Sequence, residues 1–561
     1  MRPLATRPFI AGVVTLAVIA SPLGGTVRLA AERLEPTPTQ AQGHVHPAPG
    51  KEQLGTVHFA TSCTAKAQPI FDRAVSLLHS FEFGPAIDAF DETLKADPSC
   101  AMTQWGIALS HWSNPFGLNT RAGRQLEQGL AAVERGRAIG AKTDRERAWI
   151  EAVALLYADA GRRSQPERVQ AYRDAMEALS RKHPEDMEAA IFFALSLTAA
   201  EDPSDKTYAS RLRAVGILEP LFRAHPDHPG LAHYIIHSYD VPALASRALE
   251  AARRYADIAP SASHALHMPS HTFTRVGLWQ PSIDANIASA DVARKGHVTG
   301  EELHASDYQM YAYLQTGQDA AARQLLDTLP GIIARYDAKS TQGAAPPSAA
   351  YYAMAAIPAR WALERGAWTD AERLELRPSG FPYVDALTEF ARALGAARAK
   401  DAATLRTALD RLDALRTEQV ARNEPYWTQQ IQIQRDAAAA WLAFVEGRQA
   451  DAIAGMRAAA EAEDRTEKAA VTPGPLAPAR EQLGEMLLAS GDARGAREAF
   501  ETTLVKEPNR FRALAGAARA AAAAGDAAGE RRHLQTLVTM CERAEQPGRA
   551  ELQQARATVA R

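Results

Sequence analysis

Histidine residues are concentrated in one stretch of the chain, between residues 225 and 304. Nine of the sixteen histidines lie there. Two groups have the spacing of a single helix face: His233 and His237, which are four residues apart, and His264, His267 and His271, with intervals of three and four. Several imidazoles on one helix face can bind a transition metal ion. The fold then decides whether the two groups come together.

An internal repeat indicates how the helices that carry these residues are arranged. Residues 477–510 have small and apolar residues at regular positions, namely Leu483, Gly484, Ala496, Phe500 and Pro508. The same signature occurs near the front of the chain as Ala86, Phe90 and Pro98. A Gly-Asp pair at residue 491 recurs thirty-four residues later, at residue 525. This signature and period resemble the tetratricopeptide repeat (TPR) family over roughly residues 66–545.

The resemblance to the TPR family implies a fold and a register. It implies an all-α, right-handed solenoid of antiparallel helix pairs, which agrees with the Ala-rich composition. A single helix pair cannot bury its apolar face, whereas stacked pairs form a continuous core. In this family the first helix of each repeat lines a concave groove. TPR-like repeats with groove histidines look like a group of exported bacterial TPR proteins, to which no established activity is attached.

Counted in the TPR register, the histidines fall on three consecutive first helices that face the groove. The resemblance therefore implies a metal site with these ligands: His233, His237, His264, His267, His271, His304 and Asp307. The donors suit Zn, Cu or Fe, and seven donors suffice for two ions. A haem held by two histidines is a lesser alternative, and no CxxCH motif is present for covalent haem. The metal-free alternative is that these histidines hydrogen-bond one another, a peptide or water.

Arg275, Arg360 and Tyr311 occupy further groove positions. Guanidinium groups bind carboxylates and phosphates in a bidentate manner, so we expect these three residues to bind an anionic substrate beside the metal. A salt bridge to a neighbouring acid in the groove is the alternative for both arginines. Asp240, Asp307 and Tyr311 are also candidates to orient an imidazole by accepting its ring N–H.

The other histidines are interpreted without a metal. His225, His228 and His297 fall in turns or near helix ends, where we expect capping or surface residues. His79 takes a groove position in the first repeat and has no partner in sequence, so we interpret it as structural. Met268 takes a position that normally faces the partner helix, and we expect it in the core.

The N-terminal residues have the pattern of a secretory signal peptide. Arg2 and Arg7 form a short positive region before an apolar run at residues 9–20, and this run is too short for a comfortable transmembrane span. We expect residues 1–25 to be a signal peptide, with an uncleaved anchor as the alternative, and residues 26–65 to be a flexible Pro-rich leader. The protein is then exported, either periplasmic or secreted, and no other stretch is expected to cross a membrane.

The rest of the chain is divided by its histidine content. We predict N-terminal TPR-like repeats at 66–225, His-rich repeats at 226–340, C-terminal repeats at 341–545 and a tail at 546–561. Cys63 precedes a predicted helical hairpin and Cys100 follows it, and the two ends of a hairpin are neighbours in space. Export permits a disulfide between them, which would leave Cys541 as a free thiol.

Composition and motifs narrow the function further. The formal net charge is −3, and there is no basic cluster interleaved with aromatic residues, so we expect no nucleic-acid partner. The motifs HExxH, GxSxG and GxxxxGK[ST] are absent. Three functions remain open: an exported TPR scaffold that binds a metal for metal handling or partner interaction, a metalloenzyme acting on a small anionic substrate, and a metal-free adaptor that holds a protein or peptide in the groove.

Overall fold

Pairs of α-helices build the protein, as seen in a computed structural model that describes residues 52–117, 119, 121, 123–340 and 342–561. No β-strand occurs in these residues. The first helices are α1 (Gln68–His79), α2 (Phe83–Ala96), α3 (Met102–Trp112), α4 (Gly123–Ile139), α5 (Asp144–Ala154), α6 (Gln165–Lys182), α7 (Met187–Ala199) and α8 (Ala209–Ala224).

The middle of the chain carries the histidine-rich stretch. It contains α9 (Pro229–Ser238), α10 (Leu249–Ile258), α11 (Ser263–His267), α12 (Pro269–Arg275), α13 (Trp279–Lys295), α14 (Thr299–Gln315) and α15 (Asp319–Ile333). A short 3-10 turn at Ala245–Ala248 leads into α10.

The C-terminal part continues the same architecture. Its helices are α16 (Pro347–Glu364), α17 (Trp368–Glu372), α18 (Pro382–Ala399), α19 (Ala402–Ala421), α20 (Pro425–Val445), α21 (Gln449–Asp464), α22 (Ala479–Ala489), α23 (Ala493–Lys506), α24 (Phe511–Ala523), α25 (Ala527–Met540) and α26 (Ala550–Val559). Neighbours in sequence, such as α13 with α14 and α20 with α21, pack against each other. The predicted all-α, TPR-like solenoid is therefore confirmed.

The signature residues of the repeat explain how the helices approach one another. Phe500 on α23 is fully buried, and a Cβ atom at Gly516 would lie 2.5 Å from its ring. A Cβ atom at Gly106 on α3 would likewise lie 2.1 Å from the ring of Phe90. A glycine at this position lets the neighbouring helix pack directly over the aromatic ring.

The recurring Gly-Asp pair is a turn followed by a helix start. Gly491 and Gly525 have φ angles of 88° and 77°, in the left-handed region that glycine adopts without strain. Asp492 then accepts a hydrogen bond from the backbone N–H of Gly495 and so caps the N-terminus of α23. The periodicity in the sequence is thus a periodicity of helix boundaries.

The described part of the predicted leader is packed, not flexible. Phe59 is 1% exposed, and its ring lies 5.2 Å from that of Trp105 and 5.0 Å from that of Trp149. Burying a Phe side chain stabilises the folded state by about 1.5–3 kcal/mol. The flexible-leader prediction is therefore wrong for residues 52–65. The predicted signal peptide and leader residues 26–51 lie outside the described residues.

The C-terminal residues predicted as a tail contain α26. Leu552 and Ala555 of this helix are fully buried against α25. The described residues belong to one compact unit, and the boundaries predicted at residues 225 and 340 stay predictions. Within the described part of the chain, no helix is both long and apolar enough for a membrane span.

A disulfide closes the first helical hairpin. Cys63, just before α1, is bonded to Cys100, just after α2, with their Cα atoms 4.9 Å apart. This is the predicted pair. Cys541 is a buried free thiol, and burial raises its pKa to about 12.

Residues 465–478, which join α21 to α22, form a covering segment over the middle of the chain. Lys468 of this segment lies 3.4 Å from the Asp240 carboxylate. Tyr308 on α14 donates its hydroxyl hydrogen towards the carbonyls of Ala470 and Thr472, at 3.2 and 3.1 Å. The covering segment therefore lies against the helices that carry the histidines.

Candidate metal centre

Helix α9 supplies the first two histidines of the centre. Pro229 occupies its first turn, where a missing N–H carries no penalty. His233 and His237, one turn apart, are 0% and 4% exposed. Together with His264 from α11 they form a first triad, in which one nitrogen of each ring lies within 4.8 Å of the others.

Helices α11 and α12 present the next three histidines from one interrupted helical stretch. Pro269 separates the two helices because it lacks a backbone N–H. The N–H of Met268 nevertheless bonds to the carbonyl of His264 at 2.9 Å, so the helical course continues into α12. His267 and His271 form a second triad with His304 of α14, again with ring nitrogens within 4.8 Å.

The two triads are neighbours. The ring centroids of His264 and His267 are 6.0 Å apart, as are those of His237 and His271. The six imidazoles therefore make one continuous cluster from three different repeats.

Polar neighbours fix the ring hydrogens in the second triad. His271 faces the Asp240 carboxylate through Nδ1 at 2.9 Å, and a carboxylate only accepts, so Nδ1 carries the hydrogen. His267 faces the amide oxygen of Asn286 through Nδ1 at 2.7 Å. The Asn286 amide nitrogen donates to the Ser282 carbonyl at 2.7 Å, which fixes the amide orientation. In the neutral rings, both Nε2 atoms are then left with lone pairs.

The first triad is held in a comparable way. His233 donates its Nδ1–H to the backbone carbonyl of His79 at 2.6 Å. Its Nε2, the Nε2 of His237 and both ring nitrogens of His264 are buried and have no hydrogen-bond partner. Buried polar atoms in proteins are almost always paired, so a group of unpaired nitrogens at one place needs a partner that the chain does not supply.

Aromatic rings enclose the first triad. Phe81, whose backbone has a φ of 57°, places its ring 4.4 Å from His233 and 5.6 Å from His264. Phe116 stacks on His237 at 4.1 Å. These contacts exclude water from one side of the imidazoles and restrict their rotation.

Five histidines of the cluster, His233, His237, His267, His271 and His304, are held in the neutral form by burial. Burial lowers the pKa of His271 to about 4 and of His304 to about 3. Burial also holds the pKa values of His233, His237 and His267 well below the ordinary range. A metal ion binds the neutral form of imidazole, so no proton has to be displaced at neutral pH.

Asp240 is the charged support of the second triad. Burial alone would raise its pKa, but Lys468, Arg275 and His271 hold the pKa well below its usual value. Arg275 donates from Nε to the carboxylate at 2.9 Å. The carboxylate thus stays ionised and keeps the His271 hydrogen on Nδ1, as the outer partners of metal-bound histidines do.

A cavity of about 520 Å³, measured with its open mouth, reaches both triads. Four of the histidines line it: His237, His264, His271 and His304. Phe116, Met268 and Trp427 contribute apolar surface, and Val471 comes from the covering segment. The space inside the cavity is enough for a few water molecules beside the imidazoles. Met268 is fully buried, but it borders this cavity.

The prediction of Asp307 as a ligand is wrong. Both of its carboxylate oxygens accept hydrogen bonds from Arg360, at 2.7 and 3.3 Å, and it does not belong to a group that could hold a metal. The physical reason is that Arg360, on α16, turns into the same space. This ion pair satisfies Asp307 away from the histidines.

The predicted substrate-binding residues are paired within the protein. Arg275 binds Asp240 and Arg360 binds Asp307, which is the salt-bridge alternative for both. Tyr311 accepts a hydrogen bond from Arg510 at 3.0 Å. These three side chains are therefore occupied, and none of them lines the cavity that reaches the histidines.

A buried cluster of His79, Glu188 and His228 is not predicted by the sequence analysis. His79 contacts Tyr234 and Glu188 at 2.9 Å each, and His228 lies 3.0 Å from the other Glu188 oxygen. The structural interpretation of His79 agrees with its two filled ring nitrogens. His228 is the N-cap residue of α9, a helix end as expected, but its ring is buried and makes no capping hydrogen bond, so the surface alternative is wrong for it. Glu188 is far from both histidines in sequence, and no spacing signal joins them.

The remaining two histidines of the stretch, His225 and His297, are exposed as expected. The structure thus brings together six of the seven predicted ligands, as two adjacent triads. Each triad offers three imidazole nitrogens and leaves positions for further ligands, as in sites where a metal ion keeps an open position.

Comparisons with known proteins do not identify the chain. No family model and no curated protein matches it. Among solved structures, the human IFIT1 dimer with m7Gppp-AAAA has a TM-score of 0.39 at 9% identity, and the human IFIT1 dimer with PPP-AAAA has 0.39 at 11%. Both matches cover 87% of this chain and 98% of the other. With TM-scores under 0.5, these likenesses support no inference about what this chain binds.

Proposed function

We propose that this protein is a TPR-like scaffold that binds transition metal ions in its cluster of six histidines, with one ion in each triad. The observation that supports this most is the arrangement of buried, unprotonated nitrogens. In the second triad, the Nε2 atoms of His267 and His271 lie 3.1 Å apart. Two nitrogens that share a tetrahedral ion at about 2.0–2.1 Å lie roughly 3.3 Å apart.

A network of hydrogen bonds among the histidines fits the structure less well. Such a network would require a hydrogen on one nitrogen of each facing pair, whereas the neighbours of His267 and His271 place the hydrogens on Nδ1. A peptide-binding adaptor is also less well supported, because the six histidines are at most 6% exposed. A groove that recognised a peptide through these side chains would have to expose them to solvent.

The proposed ions are Zn, Cu or Fe, the metals that imidazole ligands suit. In an exported protein of the TPR family, such a centre would serve metal handling, with partners bound elsewhere on the scaffold. Location outside the cytoplasm is part of this proposal. Two observations support it, the signal-peptide pattern of residues 1–25 and the Cys63–Cys100 bond.

The test is the elemental content of the mature protein by plasma mass spectrometry, with its visible spectrum. The protein is made in an export-competent host without a histidine tag. Near-stoichiometric Zn, Cu or Fe, at up to two ions per chain, is the expected result. A Soret band would show that the protein binds haem, and it would overturn this proposal. A protein that is isolated without metal and does not take up added metal would overturn it in favour of the peptide-binding adaptor.

A metalloenzyme is the second candidate, and one observation favours it. The cavity has an open mouth and reaches four of the six histidines, with space for a few water molecules beside them. A metal ion with an open position can activate water or polarise a substrate there. Among the described residues, no Arg, Lys, Asp or Glu lines the cavity, so the ions would supply the positive charge for an anionic substrate. Screening the metal-loaded protein for hydrolytic and oxidative activity, with a His267→Ala/His271→Ala variant as control, tests this candidate.

A further inference from the structure

Glu301 is a buried carboxylate that lies one turn before His304 on the same face of α14. Its side chain is 1% exposed. One carboxylate oxygen, Oε1, accepts a hydrogen bond from the backbone N–H of Ala345 at 2.5 Å. The other, Oε2, is buried and has no hydrogen-bond partner. Half of the carboxylate therefore faces the protein interior without a partner.

Other buried carboxylates of this region have a cation. Asp240 is paired with Lys468, and Asp307 with Arg360. Among the residues that the structure describes, no Arg or Lys forms an ion pair with Glu301. An isolated charge in the interior is unfavourable, so a carboxylate at this place calls for a positive partner, either a protonated His264 at 3.8 Å or a metal ion.

A second buried carboxylate, that of Glu82, increases the need for a positive partner. Glu82 accepts hydrogen bonds from the Ser263 hydroxyl at 3.2 Å and from the His264 backbone N–H at 3.4 Å. Two carboxylates thus lie beside His264, and the described part of the chain supplies neither with a Lys or Arg.

The geometry beside His264 fits a shared ion. The Nδ1 atom of His264 lies 3.8 Å from Oε2 of Glu301, and neither atom has a hydrogen-bond partner. This distance is too long for a hydrogen bond. Two ligand atoms bound to one ion at about 2.0–2.2 Å lie roughly 3–3.6 Å apart, so a small side-chain shift would complete the coordination. The Nδ1 atom of His304 is also buried without a partner.

We propose that Glu301 is a carboxylate ligand of the metal centre, which binds through Oε2 to an ion that His264 also binds. This inference rests on the proposed function. It adds one negative charge to ligands that are otherwise neutral, and so offsets part of the charge of the buried ions. A mixed set of nitrogen and oxygen ligands favours Zn²⁺ or Fe²⁺ over Cu⁺, which prefers sulfur.

The test compares Glu301→Gln with Glu302→Gln in the full-length mature protein. Glu302 is the next residue of α14 and is equally buried, but its carboxylate is paired with Arg294 and Arg335. Zn²⁺ affinity is measured by competition with a chromogenic chelator. Coordination is followed by the visible spectrum of the Co²⁺-loaded protein. We expect at least about ten-fold weaker Zn²⁺ binding and an altered Co²⁺ spectrum for Glu301→Gln, and no change for Glu302→Gln.

Equal Zn²⁺ affinity and the same Co²⁺ spectrum in Glu301→Gln and wild type would overturn the assignment of Glu301. Wild-type protein that binds neither ion would overturn the proposed function itself, so the two failures are distinguishable. Glu301→Asp keeps the charge on a shorter side chain and provides a second variant if Glu301→Gln does not fold. We expect Glu301→Asp to bind Zn²⁺ more weakly than wild type; unchanged affinity and spectrum in this variant would count against the assignment.

Discussion

The Nε2 atoms of His267 and His271 face each other at 3.1 Å, while the Nδ1 atom of each ring is held by an acceptor. The acceptor for His267 is Asn286 on α13, and the acceptor for His271 is Asp240 in the turn after α9. In neutral rings, this arrangement brings two lone pairs together. The Tyr308 hydroxyl lies 3.3 Å from Nε2 of His271 and can donate to one of them; a cation between the two rings would satisfy both, and the arrangement defines where that cation would bind.

Replacing His267 and His271 together by Ala removes two of the three ligands of the second triad. We expect loss of tight metal binding at that triad and retention of helicity, because the helical spacing does not depend on the rings. Metal content by plasma mass spectrometry and far-ultraviolet circular dichroism check this. The exposed pair His225 and His297, replaced by Ala in the same way, serves as the control and is expected to keep the full metal content. Unchanged stoichiometry in the first variant would refute the site.

Asp240→Asn tests the outer support of the second triad. An amide can donate as well as accept, so the hydrogen of His271 is no longer fixed on Nδ1, and we expect about 10–100-fold weaker metal binding. Arg275 and Lys468 would also lose their buried counter-charge, which is expected to cost about 3–5 kcal/mol of folding stability. Chelator competition and urea unfolding measure the two effects. A variant with wild-type metal affinity would show that Asp240 supports the fold only.

The metal-free protein is expected to lose stability as the pH falls from about 6.5 towards 4. The folded state keeps His271 and His304 neutral, with pKa values of about 4 and about 3, whereas the unfolded chain takes up protons near 6.5. Each extra proton bound by the unfolded chain lowers the free energy of unfolding by about 1.4 kcal/mol per pH unit.

Buried carboxyl groups act in the opposite direction in this pH range. Burial raises the pKa values of Glu82 and Glu463 to about 7, and it raises those of Glu201, Asp307, Glu481 and Glu507 above the ordinary value, so their contribution is lost as the pH rises. Seven of the described histidines, five of them in the cluster, have lowered pKa values, and we expect the histidines to outweigh the carboxyls. Urea midpoints of chelator-treated protein between pH 7.5 and 4.5 test the sign; a midpoint that rises on acidification would contradict it.

Reduction of the Cys63–Cys100 bond is expected to destabilise the protein. The bond spans 37 residues, and closing a loop of this size stabilises the folded state by about 2–4 kcal/mol. Thermal melting with and without reductant measures the difference. A Cys63→Ser/Cys100→Ser variant should melt at the lower temperature in both conditions. Identical melting of the wild type in both conditions would argue against a stabilising bond.

The sequence predicted the part of the site that depends on local geometry. Helical spacing placed His233 with His237, and the thirty-four-residue period placed His264, His267 and His304 at matching positions of the following repeats. Stacking of equivalent helices is sufficient to bring such positions together. Consistent with this, the six histidines form one cluster in the structure.

The partners of these residues could not be predicted, because they come from distant parts of the chain. Asp307 takes the same kind of groove position as the histidines, but Arg360, 53 residues further on, binds it. Glu301 was overlooked because it is not at a groove position in the TPR register. Phe59 falls in the predicted flexible leader because the stretch before it is Pro-rich and polar. A single buried aromatic residue is nevertheless enough to fix a segment on a hydrophobic core.

The turn between α1 and α2 is the floor of the first triad, and its support comes from the disulfide. The His79 carbonyl orients His233, and Phe81, two residues later, packs against the rings of His233 and His264. The bond between Cys63 and Cys100 closes the opposite ends of this same hairpin. Reduction of this bond is therefore expected to loosen the hairpin that orients His233, and so to weaken metal binding at the proposed first triad as well as the fold.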